Sequence, residues 1–438
     1  MRAALGLAGM LLVAGSMPVP AADAVLSEPP EPVRILLIGD SVTQGSAGDW
    51  TWRYRLGRHF AAAGVAVDFV GPRQDLWNNV TDQPGSTDYA DPAFDQDHAA
   101  RWGMQALVPD VPAGRLVEEH RPDVVVEMLG VNDLLYGASA ETVAGRTADL
   151  VEEVHAVDPE VDVVLAEATQ TWFPGVVGFN GLLHDVAAAA DTPTGRVVVA
   201  RTAAGYDRDA DTWDTSHPNA QGEVKIAAAV ADTLSGIGVG PPAARPLPDV
   251  PVGPRTGAEV AAVAGDGYVT LAWAGPSGAT AQYVWTRDAS SSEPWRRLPF
   301  RVTGQSWTGF YLTNGHRYQY RLQPVKGDDE PEGAVYSNVV EAVPFRPPAA
   351  PAGLRATAGR RCAVLTWREP AFATRYRVAR QTAAGWSALG WVRRPRFAAE
   401  RLPAAHAWRF RVTAWHLDVR GEAARITVRR APSGGPCR

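Results

Sequence analysis

The sequence predicts an α/β domain followed by two smaller β-sandwich modules. Two features of the 438-residue chain support this prediction. Apolar strand-like runs alternate with helix-like stretches from residue 33 to about 237. This alternation is typical of a mostly parallel sheet covered by helices on both faces, a three-layer α/β/α arrangement. Beyond about residue 254 the pattern changes to short strands of alternating polarity, which are typical of antiparallel sandwiches.

The first region contains five strand candidates and five helix candidates. The expected strands are 33–38, 65–70, 123–129, 161–166 and 196–200. The expected helices are 52–63, 113–120, 140–157, 176–190 and 219–234. The stretch 71–105 is polar and shows no clear element. Long irregular stretches of this kind in α/β domains are usually functional or mobile.

Two copies of one pattern follow a Gly/Pro/Ala-rich linker at 238–253. A strand ending in Trp (269–273 and 363–367) is followed by a leucine and, six residues after it, by an aromatic residue. The copies resemble fibronectin type III modules at 254–345 and 346–438. Tyr318 matches the corner tyrosine of that family, whereas Trp408 stands at the same place in the second copy.

The N-terminus is typical of an exported protein. Arg2 precedes an apolar stretch, and Ala22-Asp23-Ala24 fits a cleavage site, which predicts a signal peptide at 1–24 and a short leader at 25–32. The alternative is an uncleaved membrane anchor, for which the apolar stretch is short. No later segment is predicted to span a membrane. In an exported protein the two cysteines, Cys362 and Cys437, are predicted to form a disulfide, and neither has metal-ligand spacing.

Charge is distributed unevenly along the chain. Residues 346–438 contain 19 arginines and 4 acidic residues, a net charge of +15, whereas the rest of the chain carries −21. Arg375 and Arg377, and Arg409 and Arg411, alternate on predicted strands, so each pair projects from one face. We expect this face either to bind an anionic polymer, to dock against the acidic remainder, or simply to be solvated. Nucleic acid is not an expected partner of an exported protein with net negative charge.

The first candidate for chemistry is Gly39-Asp40-Ser41, directly after the first apolar strand. Ligands of open α/β sheets bind at the carboxyl ends of the strands, so a serine there is well sited to be a nucleophile. The alternative is that Asp40 and Ser41 only cap a turn.

Two further polar blocks stand at matching places. Gly130-Val131-Asn132-Asp133 follows the buried strand 123–129, where an amide can donate to a developing oxyanion or simply form an Asx turn. Asp214-Thr215-Ser216-His217 precedes the last helix. Its carboxylate can orient the imidazole three residues later, unless His217 is only a surface residue beside a helix cap.

In this order the blocks resemble those of the SGNH hydrolases, the GDSL-type esterases and lipases. The resemblance covers about 33–234 and implies an α/β/α fold and a serine ester hydrolase that needs no metal or other cofactor. It implies that Ser41 is the nucleophile, His217 the general base and then acid, and Asp214 the residue that orients His217. It also implies an oxyanion hole formed by the N–H groups of Ser41 and Gly103 and the amide of Asn132. Gly85 is a second choice for the glycine.

The substrate is expected to be a short-chain ester. The stretches 48–56 and 67–71 are similar to the acetylxylan-esterase-like branch, which implies acetyl groups on a carbohydrate. Asp40, Trp172 and Phe173 are candidates for substrate contact, and the two aromatic residues fit a place in the core equally well. The alternatives are a lipase or phospholipase, against which the Asp-rich stretch 71–105 argues, and a surface or polysaccharide-binding protein with secondary or no catalysis.

Overall fold

The computed structural model describes residues 31–431. The predicted signal peptide, most of the leader and Cys437 lie outside the described residues. Export and the Cys362–Cys437 disulfide therefore stay predictions.

A parallel sheet covered by helices forms the first region. Its strands are β1 (Val33–Gly39), β2 (Val67–Val70), β3 (Leu76–Asn78), β4 (Gln83–Ser86), β5 (Ala99–Ala100), β6 (Val124–Met128), β7 (Asp162–Ala166) and β8 (Val197–Ala200). Its helices are α1 (Ser41–Gln44), α2 (Thr51–Ala63), α3 (Ala113–His120), α4 (Val131–Leu135), α5 (Ala140–Val157), α6 (Val176–Ala190), α7 (Arg208–Asp211) and α8 (Ala220–Gly236). The strand order is β2-β1-β6-β7-β8, and β3 and β4 form a separate hairpin.

Strand β1 shows why the domain has three layers. Its side chains alternate between two cores: Leu36 and Ile38 pack with α3, α5 and α6, whereas Ile35 and Leu37 pack with α2 and α8. A strand that is apolar on both faces is buried between two helical layers, so the predicted fold class is confirmed.

The stretch 71–105 contains more structure than the sequence predicts. Besides the β3–β4 hairpin, β5 pairs in parallel with the end of β1, with Ile38 opposite Ala99 and Gly39 opposite Ala100. Strand β2 pairs only with the first part of β1. Strand β5 therefore occupies the rest of the same edge and brings the following residues to the carboxyl end of β1.

Two β-sandwiches follow, each with seven strands among the described residues. Module 1 contains β9 (Glu259–Ala264), β10 (Val269–Ala274), β11 (Ala281–Asp288), β12 (Arg296–Val302), β13 (Ser306–Gly309), β14 (Tyr318–Val325) and β15 (Val340–Ala342). Module 2 contains β16 (Ala352–Ala358), β17 (Ala363–Arg368), β18 (Arg375–Thr382), β19 (Gly385–Val392), β20 (Arg396–Ala399), β21 (Ala407–His416) and β22 (Val419–Arg429). The sheet orders correspond: β13-β10-β9 and β12-β11-β14-β15, then β16-β17-β20 and β19-β18-β21-β22.

The two modules make the same corner contact with opposite polarity. The Tyr318 hydroxyl accepts a hydrogen bond from the Thr313 N–H (3.1 Å). The Trp408 indole instead donates to the carbonyl of Pro403 (3.0 Å), also five residues earlier. Trp408 therefore ties its strand to the preceding loop although it cannot act as an acceptor.

The linker 238–253 lies against the α/β domain. Val239 and Ala243 pack on the core beside α8, and Arg245 forms an ion pair with Asp232. Across residues 31–431, no helix has the length and apolar character that crossing a bilayer requires.

Candidate active site

Ser41 stands at the start of a short helix after the central strand. Strand β1 ends at Gly39 and α1 begins at Ser41, with the Asp40 carboxylate accepting the Val42 N–H (3.0 Å) as its cap. A Cβ at Gly39 would lie 2.2 Å from the Thr43 hydroxyl oxygen, so the turn needs glycine there. The Ser41 N–H is among the first N–H groups of the helix, which have no partner within it.

Ser41, His217 and Asp214 form a connected chain of hydrogen bonds. His217 Nε2 lies 3.0 Å from Ser41 Oγ, and His217 Nδ1 lies 2.8 Å from Asp214 Oδ2. With the Nδ1 hydrogen directed at Asp214, Nε2 is free to accept the serine proton. The structure thus brings together the three residues that the sequence selects, although Asp214 and His217 follow Ser41 by 173 and 176 positions in the chain.

Asp214 is held in its ionised form by its own loop. Its Oδ1 accepts the N–H groups of Ser216 (3.1 Å) and His217 (2.8 Å). Burial alone would raise its pKa, but the His217 side chain and these backbone donors outweigh burial, and the pKa lies below its ordinary value. The Trp213 N–H donates to the His217 carbonyl (3.1 Å) and closes the loop. The carboxylate is therefore available to stabilise an imidazolium.

Two indole rings stack on the His217 imidazole. The ring of Trp102 stacks at 4.1 Å between centroids and that of Trp213 at 5.4 Å, each tilted by 21°. Trp77 stacks in turn on Trp102 at 5.7 Å between centroids. These ring contacts hold the imidazole in place beside Ser41. The sequence draws attention to Trp102 only as the neighbour of Gly103, and no signal in it identifies Trp77 or Trp213.

The segment carrying Trp102 and Gly103 is fixed by two buried side chains. Gln44 accepts the Trp102 N–H (2.6 Å). The Asp133 carboxylate accepts the N–H groups of Ala106 (2.8 Å) and Leu107 (2.9 Å). Gly103 has φ +72°, a backbone conformation that favours glycine. Gly85 lies in the exposed β4 strand instead, and its N–H donates to Asp75.

Asn132 differs from the expected arrangement. Its amide nitrogen donates to Asp40 Oδ2 (3.0 Å) and to the Met104 carbonyl (3.1 Å), so both of its hydrogens are used. To donate to an oxyanion, the Asn132 amide must give up one of these two hydrogen bonds. Its part in the oxyanion hole, like that of Gly103, stays a prediction.

Asp40 is buried rather than open to a substrate. It is 1% exposed, and burial raises its pKa to about 6. Burial also raises the pKa of Glu127, in β6, to about 8. The burial of Asp40 argues against the substrate contact expected from the sequence, because its carboxylate is occupied by Val42 and Asn132.

Trp172 and Phe173 are partly buried against the two cores, and Trp172 also contacts the Asp214–His217 loop. The Trp172 indole donates to the Thr215 carbonyl (3.0 Å), within the Asp214–His217 turn. Phe173 packs against the core that faces α5 and α6, and Trp172 against the other core. Trp172 thus supports the loop that holds His217.

One family and several solved structures are similar to parts of this chain. Residues 37–224 match the GDSL-like Lipase/Acylhydrolase family. Three structures each cover 47% of this chain and 97% of their own. They are a mutant acetyl esterase with acetate ion (27% identity, TM-score 0.40), a carbohydrate esterase family 3 from Talaromyces cellulolyticus (28%, 0.40) and a Clostridium thermocellum family 3 carbohydrate esterase (24%, 0.41). The chicken CNTN1 FN1-FN3 domains match at 14% identity and a TM-score of 0.29, over 40% of this chain and 68% of theirs. The curated proteins contain no match.

Proposed function

We propose that the protein is an exported serine esterase for short acyl groups, and the match of residues 37–224 to the GDSL-like Lipase/Acylhydrolase family supports the esterase assignment. The observation that supports the mechanism best is the pair of hydrogen bonds joining Ser41, His217 and Asp214. A serine, a base and an orienting carboxylate at these distances are suited to nucleophilic acyl transfer.

The reaction then proceeds in two stages. Ser41 Oγ attacks the ester carbonyl while His217 Nε2 takes its proton, and the N–H groups of Ser41 and Gly103 donate to the oxyanion. The imidazolium, stabilised by Asp214, gives its proton to the departing alcohol and leaves an acyl-serine. Water attacks this acyl group with His217 again as base, and the acid is released as Ser41 regains its proton. Loss of one oxyanion donor typically costs on the order of 10²–10³ in rate.

The surroundings of His217 favour a small acyl group. Its side chain is only 16% exposed, and Ser41 is 7% exposed. The indole of Trp102 stacks on the imidazole at 4.1 Å between ring centroids, so a bulky ring stands next to the reacting groups. The stretch that carries Trp77 and Trp102 is rich in aspartate rather than apolar residues. We therefore favour an acetyl ester of a carbohydrate over a lipid.

Chain-length preference tests this assignment. We expect hydrolysis of p-nitrophenyl esters to be fastest with acetate and to fall through butyrate, octanoate and palmitate. Trp102→Ala removes the ring beside His217 and should raise the octanoate-to-acetate rate ratio at least about tenfold, since even one methylene in a hydrophobic pocket is worth about 1–3 kcal/mol. Trp102→Phe is the matched control and should move the ratio less. Fastest hydrolysis of octanoate or palmitate by the unchanged protein would turn the assignment to a lipid esterase.

Module 2 has a surface suited to an anionic polymer, and we propose that it binds one. On one face of its four-stranded sheet, Arg377 lies opposite Trp391, and Arg411 lies opposite Arg425. The Arg375 guanidinium lies 4.7 Å from the Trp391 ring, and the Arg411 guanidinium 4.8 Å from that of Trp386. Burial and the neighbouring arginines lower the pKa of Arg411. Among the described residues, Arg375 pairs with Asp418, whereas Arg377 and Arg411 form no ion pair. Guanidinium groups without a carboxylate partner are suited to bidentate binding of carboxylates.

The two modules differ in how their arginines are neutralised. In module 1, Arg297, Arg301 and Arg317 each pair with a carboxylate. Within residues 346–431, one ion pair joins two residues of module 2, Arg375 and Asp418. This difference favours a binding role for the module 2 face over neutralisation within the chain.

Removing two positive charges from the full chain tests the binding proposal. Arg377→Gln with Arg411→Gln should weaken retention by polygalacturonate at low salt at least tenfold. Arg355→Gln with Arg396→Gln removes the same charge from the other sheet of module 2 and should change retention little. Equal losses in both double variants would indicate non-specific attraction and contradict the proposal.

A further inference from the structure

A turn of module 1 lies directly against the loop that carries Asp214 and His217. The turn comprises Lys326 to Asp329, after β14, and it is closed by paired backbone hydrogen bonds between those two residues. The Asp328 N–H donates to the Trp213 carbonyl (2.7 Å). A Cβ at Gly327 would lie 1.9 Å from that carbonyl oxygen, so the turn approaches as closely as glycine permits.

Lys326 places a buried ammonium at this contact. It is one of only two lysines in the chain, the other being Lys225, and it is 5% exposed. Its Nζ lies 5.0 Å from the centre of the Trp213 ring and forms an ion pair with Asp49, in the loop before α2. A buried ammonium is retained only where it is paired, and breaking such a pair is strongly destabilising.

The ammonium compensates three carboxyl groups, of which Glu223 is buried and Asp49 and Asp329 are partly buried. Burial raises the pKa values of Asp49, Glu223 and Asp329, and the attraction of Lys326 opposes the rise in each case. The other charged groups that act on this cluster are Arg55, Arg255, Asp328 and His217. The two domains therefore share one electrostatic cluster beneath Trp213.

Further contacts seat module 1 against the α/β domain. A Cβ at Gly48 would lie 2.6 Å from the Gly278 nitrogen, so two backbones meet there without side chains between them. The Arg255 guanidinium, at the end of the linker, lies 3.5 Å from the centre of the Trp50 ring. The turn is therefore held at Trp213 by contacts on both sides.

Trp213 transmits this contact to the chemistry. Its ring stacks on His217 and its N–H closes the Asp214–His217 loop, while its carbonyl and ring face are held by module 1. We propose that module 1 completes the active site, with Lys326 and Gly327 as positioning residues that hold His217 through Trp213. The inference rests on the proposed esterase function and adds that catalysis depends on the module.

Two matched pairs of variants test the proposal in the full chain. Lys326→Met removes the charge at similar length, and Arg317→Met removes an exposed, paired charge at the other end of β14. Gly327→Ala forces the turn away from Trp213. Gly304→Ala is its control, because Gly304 has a similar left-handed φ with nothing within 4 Å of a Cβ.

We expect Lys326→Met and Gly327→Ala to lower kcat for p-nitrophenyl acetate by about 10–100-fold with KM nearly unchanged, since displacements of about 1 Å have effects of this size. The acid limb of the kcat/KM profile should shift in Lys326→Met and stay in place in Gly327→Ala, because only Lys326→Met removes a charge from the cluster whose Asp49 interacts electrostatically with His217. Both control variants should match the unchanged protein.

The readouts separate positioning from mere stability and from failure of the proposed function. Assays run well below every melting temperature, and the rate at which a fluorophosphonate labels Ser41 is measured in parallel. Wild-type kcat, pH profile and labelling rate in both turn variants would overturn the inference. Absence of Ser41-dependent labelling and hydrolysis in the unchanged protein would overturn the proposed function, and the inference with it.

Discussion

The imidazole of His217 is held at its edge by Asp214 and by stacking with the indole rings of Trp102 and Trp213. The edge contact fixes which nitrogen carries the hydrogen, and the stacked rings hold the plane of the imidazole. These two effects act on the same proton transfer but come from different parts of the chain.

Asp214→Asn tests the edge contact. The amide can present its N–H₂ group to Nδ1 and so stabilise the unproductive tautomer, and it cannot stabilise the imidazolium. We expect kcat for p-nitrophenyl acetate to fall on the order of 10³–10⁴. Asp209→Asn changes an exposed carboxylate nearby in the same way, and this control variant should leave kcat unchanged. A loss below tenfold in Asp214→Asn would contradict the assigned role.

Glu127 predicts a pH dependence of stability. Its pKa is raised by burial from 4.5 to about 8, so the folded protein keeps the carboxyl protonated where the unfolded chain ionises it. The free energy of unfolding therefore falls as pH rises from about 4.5 to about 8. Glu127→Gln removes this loss, and its melting temperature relative to the unchanged protein should rise by roughly 5 °C between pH 5 and pH 8.

Glu118→Gln, on the exposed side of α3, is the matched control for this measurement. Its melting temperature should differ from that of the unchanged protein by the same amount at both pH values. A constant difference for Glu127→Gln would show that the buried carboxyl does not titrate as its burial requires.

The sequence identifies the polar residues of the site but not the aromatic ones. Ser41, Asp214 and His217 occur in short blocks with a chemical reason for each spacing, and the structure joins them. Trp77 and Trp213 are brought to His217 only by tertiary packing, and a single tryptophan reads equally well as core. The occupied amide of Asn132 also depends on partners far away in sequence, Asp40 and Met104.

At the scale of elements, the two-residue strand β5 determines which residues lie next to Ser41. Strand β5 pairs with the last residues of β1 and so delivers Trp102 and Gly103 to Ser41. Asp133, in the first turn of α4, then holds the segment by two backbone N–H groups. The position of the predicted oxyanion donor Gly103 therefore depends on a carboxylate from another element.

Asp133→Ala should release that segment. The buried Ala106 N–H loses its acceptor, at a cost of about 1–3 kcal/mol, the partly buried Leu107 N–H loses the same carboxylate, and Gly103 loses its fixed position. We expect kcat to fall by about 10–100-fold. The control is Asp110→Ala, which breaks only the exposed pair with Arg101. Unchanged kcat in folded Asp133→Ala would contradict the anchoring role.

Long elements were predictable because their periodicity is strong. The structure has α3, α5 and α6 at the expected bounds and the five predicted strands within two residues at either end. Strands β3, β4 and β5 and helices α1, α4 and α7 are five residues or shorter, too short to show a period. Their positions follow from pairing and capping partners that are distant in sequence.

At the scale of the whole molecule, the α/β domain and the two modules contribute differently. The predicted fold class is confirmed, and the resemblance to the GDSL-type hydrolases is confirmed by the family match over residues 37–224. The chain pattern predicts two similar sandwiches, yet module 1 packs on the Asp214–His217 loop, whereas module 2 carries an arginine face with one described ion pair. The sequence shows the charge difference but not the packing, because Lys326 and Gly327 become informative only once Trp213 lies beside them.

The central claim is that Ser41 is the nucleophile of a short-chain esterase. The most direct measurement is the rate of p-nitrophenyl acetate hydrolysis by the protein and by Ser41→Ala, at equal concentration and with melting temperatures checked. We expect the variant to lose at least about 10³-fold in kcat, because no acyl-serine can form. Hydrolysis by folded Ser41→Ala at more than a tenth of the original rate would contradict the claim.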